Sequence, residues 1–236
     1  MRLDRSIREA AERIDTARSR ARRSLLRAAI EVFGEAGFES ATTREIAKRS
    51  AQNSAAIAYY FGGKAQLYEA VIEHVVTMIN ERIGMLLQSA ERFLEKETWP
   101  REQALSFLQQ MLEASVANSK DPEIVGITHI IVREQTNPSS AFDLLYKGVL
   151  GRLQRTGTRL MAVYVTGDPD HADFRLRFHA LLGQALAFRH ARATILRSAG
   201  WKDIDARQEA AIRDVVLDQT LLILDGLRAR HKATGR

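Results

Sequence analysis

The chain has 236 residues, 45% of them hydrophobic, with four prolines and no cysteine. That length buries one large core or two modest ones, favours helix over loop, and excludes disulfides and cysteine-ligated zinc, in keeping with a reducing cytoplasm. The net charge is +6, no apolar run approaches the ~18 residues of a membrane helix, and the opening MRLDRSIREAAERID lacks the apolar stretch of a secretion signal.

Residues 1–17, with mixed charges and scattered small apolar side chains, read as an arm that is helical in part. The first firm helix covers about 18–36, where Leu25, Ala29 and Phe33 fall at i, i+4 and i+8 with Leu26 and Ile30 beside them. Gly37 is its left-handed stop, and Phe38 is placed to fold back onto it. Within residues 16–27 stand Arg18, Arg20, Arg22, Arg23 and Arg27 and no acid. A solvated helix face accounts for such a run; beside the segment that follows, contact with phosphate or the minor groove accounts for it better.

That segment is Thr42 to Lys64. Thr42 and Glu45 form a T-x-x-E capping box opening a short second helix, whose few apolar residues, Ile46 and Ala47, require neighbours to hold it. Residues 50–53 form a turn, Asn53 or Ser54 caps a third helix anchored by Ile57 and closed by Phe61, and Gly62-Gly63 ends it. Two short helices joined by three or four residues make a helix-turn-helix arrangement.

From Lys64 to about Lys96 the apolar spacing stays helical (Leu67, Val71, Val75, Met78, Ile83, Leu86) until Trp99-Pro100 breaks it. The remainder is helical at about 101–118, 122–135, 140–165, 171–199 and 207–230, punctuated by Asp121-Pro122, Asn137-Pro138, Gly167-Asp168-Pro169 and Gly200. No alternating strand is evident. The last two segments carry apolar faces wide enough to join two subunits in a four-helix interface. The expected fold is therefore all-α: an arm at 1–17, a three-helix helix-turn-helix bundle at 18–66, and a helical ligand-binding and dimerisation domain at 67–236 entered by the long helix.

The chain resembles TetR/AcrR-type transcriptional regulators over roughly residues 20–75, through LLRAAIEVFGEAGFESATTREIAKRSA and AIAYYFGGKAQLYEAV. The matching positions are Gly37-Phe38, Thr42-Thr43, Ile46-Ala47, Tyr60-Phe61 and Lys64. REQTNPSSAFDLLY (133–146) and LLGQALAFRHARATILRSAGW (181–201) are similar to a subset of that family with a CecR-like ligand domain. Three positions depart from the pattern: Ala51 stands where the turn usually has glycine, Gln52 where valine follows, and Ala58 where an aromatic often precedes Tyr59. Ala51 must either take a left-handed φ or the turn is built differently.

The resemblance implies backbone grip by Thr43 and Arg44, with the free N–H groups of the second helix facing phosphate. Lys64, Arg22 and Tyr60 are further phosphate candidates, and Gln52, Asn53, Ser54, Ala55, Ala56 and Tyr59 are candidates for reading bases. Asn and Gln pair bidentately with adenine, and alanines meet thymine methyls. Packing beneath the third helix is the competing role for both tyrosines. On the ligand side the candidates are Met111, His129, Arg133, Phe142, Tyr146, Gln184 and Phe188, among other polar residues on apolar helices such as Glu134, Gln135, Arg189 and His190. The competing roles are an interhelical Arg133–Glu134 ion pair, Gln184 and Arg189 in a dimer seam, and Met111, Phe142 and Tyr146 as core.

The six histidines lack metal-ligand spacing, no nucleophile motif is present, and Gly62-Gly63-Lys64 lacks both the first glycine and the Ser/Thr of a phosphate loop. The expectation is a cytoplasmic, non-enzymatic, homodimeric regulator without metal or cofactor. It would be a repressor released from a palindromic operator by a small molecule, with dimerisation through about 171–199 and 207–230. A basic helical protein coating DNA without sequence preference is the alternative, and it predicts affinity dominated by salt.

Overall fold

A computed structural model describes residues 2–116, 121–171 and 174–234, with side chains from residue 16 onward. All regular structure among them is helical: α1 (Arg2–Ser40), α2 (Thr43–Arg49), α3 (Ser54–Phe61), α4 (Lys64–Leu94), α5 (Arg101–Val116), α6 (Pro122–Thr136), α7 (Phe142–Leu145), a π turn (Tyr146–Leu150), α8 (Gly151–Thr166), α9 (Arg175–His190), α10 (Arg192–Ser198) and α11 (Ala206–Thr234). Positions 117–118 and 172–173 of the expected segments lie outside the described residues.

The chain divides into two compact units. The first takes the sequence through Thr77 together with α6 and α7; the second takes Met78 to the end of α5 and everything from Tyr146 onward. The long helix α4 runs unbroken from one into the other.

In the first unit α1 is the beam. Its backbone is already helical at Arg2, so the residues expected as an arm continue the first helix. Gly37 interrupts it at φ 78°, ψ 170°, and Phe38 does fold back, stacking on Phe33 with ring centroids 6.2 Å apart. Leu25, Ala29, Ile30 and Phe33 are fully buried, as are Ile46 of α2, Leu67, Val71 and Ile72 of α4; Ile57 of α3 is nearly so.

Helix α6 lies against α1 with the two backbones touching. A Cβ on Gly34 would sit 2.7 Å from the Cα of Gly126, and a Cβ on Gly126 would sit 2.8 Å from the Ile30 carbonyl oxygen. Polar contacts fix that crossing. Arg27 pairs with Glu123 at 2.9 Å, the same carboxylate meets His74 of α4 at 3.1 Å, and Arg133 donates to the Glu35 carbonyl at 2.9 Å. Glu134 is 2% exposed, accepting from the Tyr68 hydroxyl at 2.7 Å and the Ser139 N–H at 3.1 Å. Burial, then that hydrogen bond, pushes the Tyr68 phenol well above its ordinary pKa, so the proton stays on tyrosine. Arg133 and Glu134 thus reach separate partners instead of pairing with each other.

The second unit packs α4, α5, α8, α9 and α11 around Leu87, Phe93, Leu108, Leu160, Phe178 and Leu224. Arg101 closes the end of α8 by donating to the carbonyls of Tyr164 and Val165, ahead of the left-handed Gly167 at φ 88°. Arg152 grips Glu91 through two 2.7 Å hydrogen bonds and holds that carboxyl below the usual carboxylate range.

Two expected single helices are divided. The 140–165 segment contains the π turn, with Gly151 just after it, where a Cβ would lie 3.0 Å from the Tyr146 carbonyl oxygen. The 171–199 segment breaks at Ala191 (φ −97°, ψ 26°), and Leu196 and Trp201 pack beyond the break on a second cluster of Leu112, Val116, Ala185, Ile204, Ile212 and Val216.

Because the α1–α6 contact leaves no room for a side chain, Gly126→Val should cost at least about 2 kcal/mol by overpacking. Urea unfolding followed by circular dichroism checks this; an unchanged midpoint would show that the two helices are free to part.

Candidate nucleic-acid interface

The Thr42 hydroxyl accepts from the Glu45 N–H at 3.1 Å and so caps α2. The capping box is only half formed, because the Glu45 carboxylate turns to Arg49 at 3.4 Å. Arg49 in turn reaches Glu35 of α1 at 2.7 Å and Glu31 at 3.7 Å, which draws the Glu35 carboxyl below its ordinary pKa and ties α2 to the beam. From α1, Ser24 donates to the Ser50 carbonyl at 3.0 Å and holds the start of the turn.

The turn itself is a left-handed helix closure. Gln52 N–H donates to the Ala47 carbonyl at 2.9 Å and Ala51 N–H to that of Lys48 at 3.2 Å, the paired bonds that end a helix through a residue of positive φ. Ala51 is that residue, at φ 53°, and no other non-glycine among the described residues has a positive φ. Of the two ways the turn could have been built, the chain takes the strained one.

Asn53 caps α3, its Oδ1 accepting from the Ala55 N–H at 3.0 Å. Its oxygen is spent there, so its amide N–H groups are what it can offer outward, while the half-buried Gln52 keeps both ends of its amide. With Ile57 as the 1% exposed anchor, the outward face of α3 is Ala55, Ala58 and Tyr59 at i, i+3 and i+4. Tyr59 is 68% exposed and meets Tyr60 edge-on at 4.9 Å. Ser54 is exposed, whereas Ala56 and Tyr60 are half-buried, so Ala58 is the alanine that sequence reasoning missed.

Around this face the cations are unequal. Arg44 and Lys48 project from α2 at i and i+4, both exposed, with Thr43 half-buried beside them; Lys48 was not among the expected contacts. Arg22 lies over the Phe61 ring at 5.1 Å, which stations it at the end of α3. Arg27, expected as part of the cationic lead-in, is instead engaged by Glu123. Lys64 donates to the Glu39 carbonyl at 3.1 Å and sits 4.7 Å from the Phe38 ring, locking the start of α4 to the end of α1.

The expected ligand-side residues do not gather in one unit. His129, Arg133 and Phe142 belong to the first; Met111, Tyr146, Gln184 and Phe188 belong to the second. Met111 is 2% exposed inside the main core, and Arg133 is the strut to α1 already described, while Gln184 and Tyr146 are exposed and Phe188 half-buried. Among the described residues no group of three or more histidines and carboxylates is placed to hold a metal, and no helix is long and apolar enough to cross a membrane.

A left-handed alanine costs about 1–2 kcal/mol relative to ordinary backbone, and glycine's extra chain entropy returns about 0.5–1 of that. Ala51→Gly should therefore raise stability by roughly 0.5–1 kcal/mol. Urea unfolding is the check, and a loss of stability would mean that the Ala51 methyl is packed to advantage.

Residues 25–71 match the model of bacterial regulatory proteins of the tetR family, and residues 100–227 match that of the C-terminal domain of the HTH-type transcriptional dual regulator CecR. The HTH-type transcriptional dual regulator CecR of Shigella flexneri is 34% identical over 210 residues, covering 89% of this chain and 94% of that one. The HTH-type transcriptional repressor NicS of Pseudomonas putida is 36% identical over 62 residues, or 26% of this chain and 29% of NicS. Among solved structures, AibR in complex with isovaleryl coenzyme A and operator DNA superposes with TM-score 0.57 at 16% identity, covering 84% of this chain and 97% of that one. A transcriptional regulator from Rhodococcus sp. Rha1 superposes with TM-score 0.53 at 19% identity, over 85% and 96% of the two chains. Both show the same fold. A helix-turn-helix braced on α1, continuous in sequence with a CecR-type C-terminal domain, makes this chain a member of the TetR family of DNA-binding transcriptional regulators.

Proposed function

We propose that the chain acts as a homodimeric, effector-responsive repressor of a near-palindromic operator in the cytoplasm. The observation that carries this is the presented face of α3: a helix capped by Asn53, anchored by Ile57 and flanked by the exposed Arg44 and Lys48 of α2. Arg44, Lys48, Thr43, Arg22, Tyr60 and Lys64 would hold phosphates, and Gln52, Asn53, Ser54, Ala55, Ala56, Ala58 and Tyr59 would meet base edges.

Dimerisation through α9 and α11 is supported by what those helices leave uncovered. Leu176 is 85% exposed on α9, in line with exposed Ala180, Gly183 and Ala187. On α11, Val215 is 46% and Leu222 66% exposed, in line with Gly226. Two apolar stripes of small and branched side chains are the material of an isologous four-helix contact. Such a dimer would set two α3 helices roughly 34–36 Å apart for successive major grooves.

AibR is a relative in fold whose structure holds an acyl coenzyme A and operator DNA together. For this chain we place the small-molecule site in the CecR-type domain, among the helices of the second unit that carry Tyr146, Gln184 and Phe188. Helix α6 lies within the matched CecR-type domain yet belongs to the compact unit that carries α3, which supports transmission of an effector signal through α6 as well as through α4.

Selection from a random duplex pool at physiological salt should enrich an inverted repeat. Arg44→Ala with Lys48→Ala should weaken binding to all sequences alike and lower the slope of log K against log salt by about two, roughly one per phosphate contact. Absence of any enriched motif would favour the coating of DNA without sequence preference. Leu222→Arg, at a site already exposed in the single chain, should halve the mass measured by light scattering and weaken operator binding by more than about tenfold. A dimer that persists would move the interface elsewhere.

A further inference from the structure

Reading guanine in the major groove calls on arginine or lysine, and reading cytosine's amino group calls on a carboxylate. Helix α3, Ser54–Phe61, contains no charged residue. Its outward face is two alanine methyls and one tyrosine ring, Ala55, Ala58 and Tyr59, and the one amide at its start has its oxygen turned inward to the Ala55 N–H at 3.0 Å. Of the exposed cations around it, Arg44 and Lys48 are on α2, the helix that crosses the sugar–phosphate backbone in this motif, and Arg22 is held over the Phe61 ring at the far end of α3. The remaining uncommitted hydrogen-bonding amide is Gln52, whose paired donor and acceptor match adenine.

Resting on the reading of α3 as the operator-facing helix, we propose that the centre of each half-site is recognised as A·T pairs through thymine 5-methyl groups. Ala55 and Ala58 receive the methyls, and Tyr59 covers them from solvent. The thymine methyl is the one apolar group that base pairs present in the major groove, and an apolar reading face gains from burying it and gains nothing from an amino group or carbonyl. The adenine partner of one such pair would fall to Gln52. Specificity would then come from apolar burial on α3, and the backbone would be held by the cations of α2.

The test uses the full-length protein and the operator recovered by selection. Each thymine of one half-site is replaced singly by deoxyuridine, which deletes the methyl and leaves base pairing intact, and affinity is read by fluorescence anisotropy. Loss of about fourfold per methyl at two or more adjacent positions, with no loss at flanking thymines, is expected. Ala58→Gly should bind the thymine and uracil operators with nearly equal affinity at the affected position. Tight binding that is indifferent to every uracil, or a half-site centre of G·C pairs, overturns methyl recognition while leaving the operator-binding function intact. Failure of the selection to yield any operator would remove that function first, and the proposal with it.

Discussion

The reading surface depends on one backbone constraint, the left-handed conformation at Ala51. The bonds from Gln52 to Ala47 and from Ala51 to Lys48 close α2 only if residue 51 takes a positive φ, and the direction of α3 follows from that closure. A residue with a Cβ resists the conformation, so neighbours must over-determine it. They do: Ser24 holds the Ser50 carbonyl, Arg49 pins α2 to α1 through Glu31 and Glu35, and Asn53 caps the helix that leaves the turn. Each bond is worth little alone at a partly exposed site. Their combined effect is to leave α3 one orientation, which is what base recognition requires of a helix only eight residues long.

The same beam that braces the turn also receives α6. Backbone contact at Gly34 and Gly126 and the buried Tyr68–Glu134 bond make α1, α4 and α6 one packed body. A buried carboxylate that lost its donors would be costly, so this junction moves as a piece or not at all. Helix α6, far along the chain from α3, thus belongs to the same compact unit. An effector that displaced α6 would act on the helix that braces α2 and α3, and its influence would be bounded by the difference in its affinity for the two arrangements.

Much of the helical frame was legible in the sequence, because apolar spacing and caps are local signals. Leu25, Ala29 and Phe33 marked the buried face of α1, Thr42 and Asn53 marked caps that form, and Gly62 and Gly167 marked left-handed ends. What escaped depends on which charged partner a side chain chooses, near or far along the chain. The Glu45 carboxylate leaves its capping box because Arg49 offers a charge, Arg27 leaves the cationic lead-in because Glu123 comes from 96 residues away, and Arg133 becomes a strut. The π turn was hidden because a π turn and an α-helix have the same polarity pattern over five residues. Ala58 was passed over because, one residue from the buried Ile57, it falls on the flank of α3, where spacing alone does not decide between core and solvent.

Glycine shows how one residue type takes opposite meanings from its surroundings. At Gly34 and Gly126 an added Cβ would meet backbone below 3 Å, and at Gly157 it would collide with the Phe178 ring; these glycines let elements within the chain touch. At Gly183 and Gly226 nothing lies within 4 Å. A helix interior loses about 0.5–1 kcal/mol by carrying glycine where alanine would fit, so an unfilled glycine on a regular helix is a cost without a return inside the single chain. Both sit in line with exposed leucines, Leu176 on α9 and Leu222 on α11. The return would come from a neighbour whose backbone approaches as closely as α6 approaches α1, and a second copy of the same two helices is the neighbour whose own small residues would permit it.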